Sequence, residues 1–356
     1  MIASETIFDI QRVEKSRLPE VNFNDLPFGR VFSDHMFVMD FKEGKWEKGR
    51  IIPFQNLSLN PAASVIHYGQ AIFEGMKAFR GDSGGIFIFR PDRNIKRFNR
   101  SAERMCMPQM DEKTFHEALM QLIALDQEWV PRVPEASLYV RPFMISTDEY
   151  IGVKPSESYR FMIFTCPVGK YYAGDVRVKI ETKFSRSVRG GTGFAKAAGN
   201  YAAALYPAKL AQDKGYQQLI WTDAIEHKYI EESGTMNIIF RSGNTIFTPA
   251  ISDTILQGVT RESVVELARD WGYDVQERPV EVAEVINLLK KGELHEAFGA
   301  GTAATIAAIR TINYEDTDYE MPPFSEWTFA QRAAKELDAI KKGRVADTKG
   351  WTVRIV

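Results

Sequence analysis

Lys196 lies among small residues. The stretch Gly190-Gly191-Thr192-Gly193-Phe194-Ala195-Lys196-Ala197-Ala198-Gly199-Asn200-Tyr201 leaves its amine little steric cover, and the glycines allow backbone conformations closed to other residues. Three readings fit such a lysine: a solvated side chain in a flexible loop, a phosphate-binding lysine, or an amine that condenses with a carbonyl. The second requires G-x4-G-K-[ST], and Ala195 and Ala197 break that pattern. The third requires a poorly solvated amine, whose pKa falls from its reference of about 10.4. Composition alone does not choose.

A second pattern is Ile230-Glu231-Glu232-Ser233-Gly234-Thr235-Met236-Asn237. Paired glutamates before a glycine and an apolar strand suit a surface turn. In an interior strand a carboxylate is costly unless it has a cationic partner, and a protonated heteroaromatic nitrogen would be one. Two further turns are rich in donors. Gly258-Val259-Thr260-Arg261-Glu262 runs into an amphipathic helix, whose free N–H groups and dipole favour a phosphate, although Thr260 is equally a good N-cap. Gly299-Ala300-Gly301-Thr302-Ala303-Ala304 can wrap an oxyanion or simply turn the chain. A lysine, an acid and two anion-cradling turns are together what one phosphorylated pyridine aldehyde requires.

Regular elements must carry these groups. Apolar runs bounded by turn residues predict strands over 36–41, 85–89, 138–145, 160–165, 176–182, 218–222, 235–241 and 245–248. Residues 42–45 turn the chain after the first, and Ser242-Gly243-Asn244 is a tight hairpin signal between the last two. Pro91-Asp92 opens a helix with Ile95, Phe98, Ala102 and Met105 on one stripe, and a second helix begins at Asp111 with Phe115, Leu119, Leu122 and Ile123 on one face. Others are expected over 261–271 and 282–291, and a last one from the cap Ser325 to Gly343. Strands and helices mix without regular βαβ alternation. The fold class is therefore α+β, and at 356 residues two domains with the site between them are expected. The segment from Cys166 and Pro167 to Gly174 has the punctuation of a connector. It sets boundaries of 1–170 for an N-terminal domain, 171–174 for the link and 175–356 for a C-terminal domain.

Bulk properties exclude several classes. A net charge of -2 gives no electrostatic reason to expect nucleic acid or an anionic membrane as partner. The longest apolar runs are strand-sized, well short of the roughly 20 residues of a membrane helix. Glu5, Asp9 and Glu14, with no apolar or Arg-rich amphipathic stretch among them, give no sign of a targeting peptide. Cys106 and Cys166 lack CxxC spacing, and His35, His67, His116, His227 and His295 never stand at i,i+4. Neither a disulfide scaffold nor a metal centre is expected, and the reading is a soluble cytoplasmic protein.

The motifs FGRVFSDHM, HYGQAIFEGMKAFRG, NRSAERM, LYVRPF, CPVGKYY, GGTGFAKAAGNYAA, EESGTMNIIF, QGVTRESVVELA and FGAGTAA follow one another over residues 28–310 or so. With them the chain resembles the fold-type IV pyridoxal-phosphate (PLP) enzymes, most closely the branched-chain amino-acid aminotransferases. The resemblance implies a two-domain fold of the D-amino-acid aminotransferase type, with a smaller N-terminal open α/β domain and a larger C-terminal pseudo-barrel. It implies that Lys196 is the Schiff-base lysine, that Tyr201 hydrogen-bonds the ring hydroxyl oxygen and that Glu232 faces the ring nitrogen, with Glu231 the alternative. Arg97, Val259, Thr260 and Thr302 would hold the phosphate, although Arg97 could also be an ordinary solvated residue of its helix. The substrate carboxylate is expected near Thr302 and Ala303. Phe28, Tyr68, Phe73, Tyr139, Arg141 and Tyr171 would line the pocket, with Arg141 on the side-chain carboxylate of glutamate.

The implied reaction is ping-pong transfer of the amino group of leucine, isoleucine or valine to 2-oxoglutarate, by a homodimer. The rivals are a D-amino-acid aminotransferase or aminodeoxychorismate lyase of the same fold, and a non-catalytic binder of a phosphorylated ligand. The YVRP segment and the pairing of GGTGFAKAAGNY with EESGTMN favour the branched-chain enzymes. Some members of that family carry a CxxC pair after the GxGT turn. Here Ala303-Ala304-Thr305-Ile306-Ala307 stands there, so thiol regulation of that type is not expected.

Overall fold

The longest strands form where aromatic and aliphatic residues follow one another. Ser137–Ser146 and Tyr159–Val168 pair antiparallel along their whole length, from Ser137↔Val168 to Ser146↔Tyr159. They are the centre of the first of two units in the computed structural model, which describes residues 7–170 and 174–356. The first unit comprises Met1–Tyr171, Ala195–Ala198 and Ala339–Val356; the second comprises Tyr172–Phe194 and Gly199–Asp338.

The sheet of the first unit runs Asp9–Ile10, Arg50–Pro53, His35–Lys42, Tyr159–Val168, Ser137–Ser146, Met76–Arg80, Ile86–Phe89, Thr352–Arg354 from edge to edge, with Lys45–Trp46 and Ala71–Phe73 pairing off this path. Helices Pro91–Arg104 and Glu112–Leu125 supply the apolar stripes expected of them. Phe98 meets Phe115 edge-on at 5.2 Å, and Phe115 meets Phe161 of the sheet at 4.7 Å. Asp111 caps the second helix by accepting the N–H of Thr114.

In the second unit the order is Asp274–Glu277, Thr245–Thr248, Met236–Ser242, Glu296–Ala300, Ile306–Tyr314, Val176–Ile180, Gln218–Thr222, Tyr229–Ser233, Val280–Glu281, with Thr317–Glu320 alongside Ile306–Tyr314. Tyr229–Ser233 also pairs with Met236–Ser242, through Glu232↔Asn237 and Ser233↔Met236, so six strands close into a barrel. Closure happens at Glu232 itself.

Three expectations are corrected. The segment opening at Cys166 is not a connector at its start, because the strand continues through Cys166, Pro167 and Val168. A proline is tolerated there because pairing with His35–Lys42 stops at Phe164, leaving only one neighbouring strand. The last helix does not start at Ser325, which lies in the 3-10 turn Phe324–Glu326; the helix proper is Phe329–Lys341. Its first N–H groups are met from a distance, by the buried carboxylate of Glu296, which accepts from Thr328 and Phe329 at 2.9 Å and from Ala330 at 2.7 Å. Finally, residues 175–356 do not all stay together. Thr352–Arg354 adds an edge strand to the first unit by pairing with Ile86–Phe89.

Candidate active site

The backbone around Lys196 is held by the first unit. The chain enters that unit for only four residues, Ala195–Ala198, before the helix Ala198–Asp213. Phe73 donates its N–H to the Lys196 carbonyl at 3.1 Å, the Lys196 N–H donates to Ser101 Oγ at 2.9 Å, and Ala197 bridges to Ile72. Ala195 and Ala197 are buried while Lys196 is half-buried, so the flanking methyls anchor the segment and the amine projects. Nζ lies 5.0 Å from the centre of the Phe73 ring. The flexible-loop reading of Lys196 does not survive these contacts.

Arg141 belongs to the same cluster, its guanidinium 4.7 Å from the Phe73 ring centre and 5.3 Å from that of Tyr139. It donates to the Tyr139 hydroxyl at 3.1 Å, and its buried Nε has no hydrogen-bond partner. Phe28 packs edge-on against Tyr139 at 5.2 Å. Phe28, Phe73, Tyr139 and Arg141 therefore come together. Tyr68 ends the helix Ser64–Tyr68 and is 41% exposed. Tyr171 lies outside the described residues.

Arg97 is 5% exposed, which removes the solvated reading. Its Nε and one terminal nitrogen form a fork on Glu74, at 2.7 and 2.9 Å. Glu74 is fully buried and also accepts from Asn94 and from the N–H of Gly75. Burial pushes this carboxyl up. The charge and hydrogen bonds of Arg97, with help from Lys196 and Asn94, outweigh that and hold it below its ordinary value.

The barrel unit carries the acid and the donor turns. Glu232 is buried; its Oε1 accepts the Leu256 N–H at 2.7 Å, with Asn237 Nδ2 at 3.5 Å. Its Oε2 lies 3.1 Å from Arg186 Nε in an ion pair that is off the hydrogen-bonding line. Arg186 is thus the cationic partner that a buried carboxylate requires. Its guanidinium is fixed in turn by the carbonyls of Gly193 and Thr254. Glu231 has a different environment: Oε1 accepts from the Thr254 hydroxyl at 2.6 Å, while Oε2 is buried and without a partner. Burial pushes Glu231 up, an effect that the Thr254 hydrogen bond and the charge of Arg186 offset only in part.

The helix Val259–Asp270 begins at Val259 with Gly258 as its cap, so Thr260 stands inside the first turn and is not the N-cap. A Cβ on Gly258 would fall 1.9 Å from Asn237 Oδ1, and one on Gly301 would fall 2.9 Å from Met236 Cγ. At both glycines the backbone lies too close to these side chains to leave room for a Cβ as they stand. Thr302 and Ala303 follow the strand Glu296–Ala300 and are half-buried, as is Tyr201 near the start of the helix Ala198–Asp213.

Sequence reasoning missed Glu74, Ser101 and Arg186. The first two lie inside the quoted motifs HYGQAIFEGMKAFRG and NRSAERM, and Arg186 stands just ahead of the glycine-rich stretch, but their partners are far along the chain.

The family model for amino-transferase class IV matches residues 71–312. The chain is 45% identical over 350 residues to branched-chain-amino-acid aminotransferase 2 of Bacillus subtilis, covering 97% of this chain and 96% of that one. It is 47% identical over 337 residues to branched-chain-amino-acid transaminase 1 of the same organism, at 93% and 95% coverage. The chain belongs to the branched-chain-amino-acid aminotransferase family. Among solved structures, the branched-chain aminotransferase of Thermoproteus uzoniensis has a TM-score of 0.75 at 23% identity, covering 90% of this chain and all of that one, so the family fold is shared. The enzyme of Escherichia coli gives 0.74 at 22% identity.

PLP is the cofactor of this aminotransferase class, and the residues present fit it. The first unit offers the projecting amine of Lys196, and the barrel unit offers the buried acid Glu232 backed by Arg186, which are the kinds of group that a phosphorylated pyridine aldehyde requires. Among the described residues no cluster of three or more His, Cys, Asp or Glu side chains could hold a metal ion, and no helix is long and apolar enough to cross a membrane.

Proposed function

We propose that this chain transfers the amino group of L-leucine, L-isoleucine or L-valine to 2-oxoglutarate, with PLP carried by Lys196. The observation that carries the reading is that Lys196 and Arg141 both lie against the ring of Phe73. It joins an amine able to hold the cofactor with a half-buried guanidinium that has one nitrogen to spare.

When bound, PLP supplies an aldehyde carbon and a ring that accepts electrons. Lys196 would hold it, and its Nζ, when free, would take the substrate Cα proton and later deliver one back. The hydrogen bonds from Phe73 and to Ser101 fix the Lys196 backbone, from which the amine would work. Glu232 would face the ring nitrogen and keep it protonated, with Arg186 fixing the carboxylate. Tyr201 would hydrogen-bond the ring hydroxyl oxygen. Arg97, Val259, Thr260 and Thr302 would hold the phosphate, with Glu74 setting the attitude of the Arg97 guanidinium. The substrate carboxylate would lie at Thr302 and Ala303.

One pocket must accept both an aliphatic chain and a carboxylate. Phe28, Tyr68, Phe73 and Tyr139 would form walls for the first, and Arg141 would meet the second. We place the enzyme in the cytoplasm as a homodimer; a fully active monomer in sedimentation would contradict the latter. The reaction itself is tested by initial rates with 2-oxoglutarate as acceptor. L-leucine is expected to be a good donor and D-alanine a poor one. Preference for D-alanine, or turnover of aminodeoxychorismate, would replace this reading with one of its fold-type relatives.

A further inference from the structure

Glu231, the first of the paired glutamates, has no part in that chemistry, yet it is built into a site of its own. Between Gln218–Thr222 and Tyr229–Ser233 the register runs Trp221↔Glu232 and then Thr222↔Ile230, which leaves Glu231 as the extra residue of a β-bulge. The strand on the other side, Val280–Glu281, pairs with Tyr229 and Ile230 and stops short of it. Bulges re-aim a side chain that regular pleating would send elsewhere. Here it brings Glu231 to the wall of a cavity of about 520 Å³ that lies wholly within the barrel unit.

Glu231 is 7% exposed, and its Oε2 has no hydrogen-bond partner. An orphaned acceptor of this kind is expensive to keep unless something outside the chain uses it. Of the two other acids on the wall, Glu226 is exposed and Asp223 is already engaged, because its carboxylate accepts the N–H groups of Ile225, Glu226, Lys228 and Tyr229. Ser252 and Thr254 hydrogen-bond each other. Most of the remaining wall is apolar, with Val188, Ile225 and Ile251 exposed around it and Ile230 and Ile255 buried. Arg189, on the same wall, is exposed.

We propose that this cavity binds a free aliphatic amino acid: the ammonium on Glu231, the carboxylate on Arg189 and the side chain against the isoleucines. The chemistry follows from the wall. A buried acid short of a donor takes a cation, a guanidinium takes an anion, and most of the wall that carries both is hydrocarbon. None of these residues is placed in the machinery of transamination, so this is a second site on the enzyme.

The test uses the holoenzyme after borohydride reduction, which ties the cofactor to Lys196 and keeps the active site from taking up an amine covalently. Binding of L-valine and of isobutylamine is followed by ligand-observed NMR and calorimetry. Saturable binding of L-valine is expected, weakened about tenfold or more in Glu231→Gln and in Arg189→Ala. The second variant changes an exposed side chain and folds even if the first does not. Isobutylamine, lacking the carboxylate, should bind about tenfold more weakly than L-valine to the parent enzyme. No saturable binding, or binding unchanged in Arg189→Ala, would overturn the proposal. Equal affinity for the two ligands would overturn the amino-acid assignment. An enzyme that turns over L-leucine normally but fails these tests separates this inference from the proposed function.

Discussion

Glu74 and Arg97 form the strongest charged pair near Lys196, and removing one partner exposes what the other costs. Glu74→Gln leaves a buried guanidinium without its counter-charge, which should destabilise the protein by about 3–5 kcal/mol at neutral pH. The pH dependence has a definite sign. The Glu74 carboxyl is held below its ordinary value in the fold, so its contribution is present above the unfolded-state pKa and is lost as pH falls through the folded one. A plot of Tm against pH should therefore have a shallower acid limb in the variant; identical limbs would contradict the role given to the pair. Arg141 is tested by Arg141→Ala, which should lower kcat/KM for glutamate by roughly 10- to 100-fold more than for leucine. Equal losses would remove it from the acceptor carboxylate. At this scale the sequence showed which residue types were present but not which of them meet. Arg97 read as a possible solvated residue because Glu74, its partner, stands 23 positions earlier in what looks like an ordinary pre-glycine turn.

Elements were legible where their causes are local. The stripe Ile95, Phe98 and Ala102 is packed as its spacing implies, and the hairpin at Ser242-Gly243-Asn244 joins Met236–Ser242 to Thr245–Thr248 with Gly243 at positive φ. Legibility failed where an element is completed from far away. The last helix takes its cap from Glu296 rather than from Ser325, and the bulge that separates the environments of Glu231 and Glu232 depends on two strands at once. Two predictions follow from element ends. Gly258→Ala places a methyl group against Asn237, which also touches Glu232, and should weaken PLP binding about tenfold in a fluorescence titration. Unchanged affinity would mean that the turn has room it is not credited with. Trp351, 4% exposed, packs edge-on against Phe89 at 5.9 Å and under the Arg90 guanidinium, just ahead of the last strand. Trp351→Ala should cost about 3–5 kcal/mol in chemical denaturation. A loss under 1 kcal/mol or so would show that the strand holds without it.

At the scale of the molecule, the ordered motifs carried the grouping that composition could not. Lys196, Arg97 and Arg141 belong to the first unit, while Tyr201, Glu232, Val259, Thr260, Thr302 and Ala303 belong to the barrel unit. Strand and helix periodicity supplied α+β without saying that one sheet closes; closure depends on Glu232↔Asn237, a pairing across a turn whose register the amino-acid pattern leaves open. The path of the last eighteen residues was hidden for the same reason, since an edge strand of three residues has no periodicity to read. The central claim is that Lys196 carries PLP through both halves of an amino transfer between branched-chain amino acids and 2-oxoglutarate. The most direct test is the visible absorption of the purified protein with PLP, recorded as L-leucine and then 2-oxoglutarate are added. A yellow band that bleaches with L-leucine and returns with 2-oxoglutarate, and that Lys196→Ala does not cycle, is the predicted result. A band indifferent to L-leucine would contradict the account.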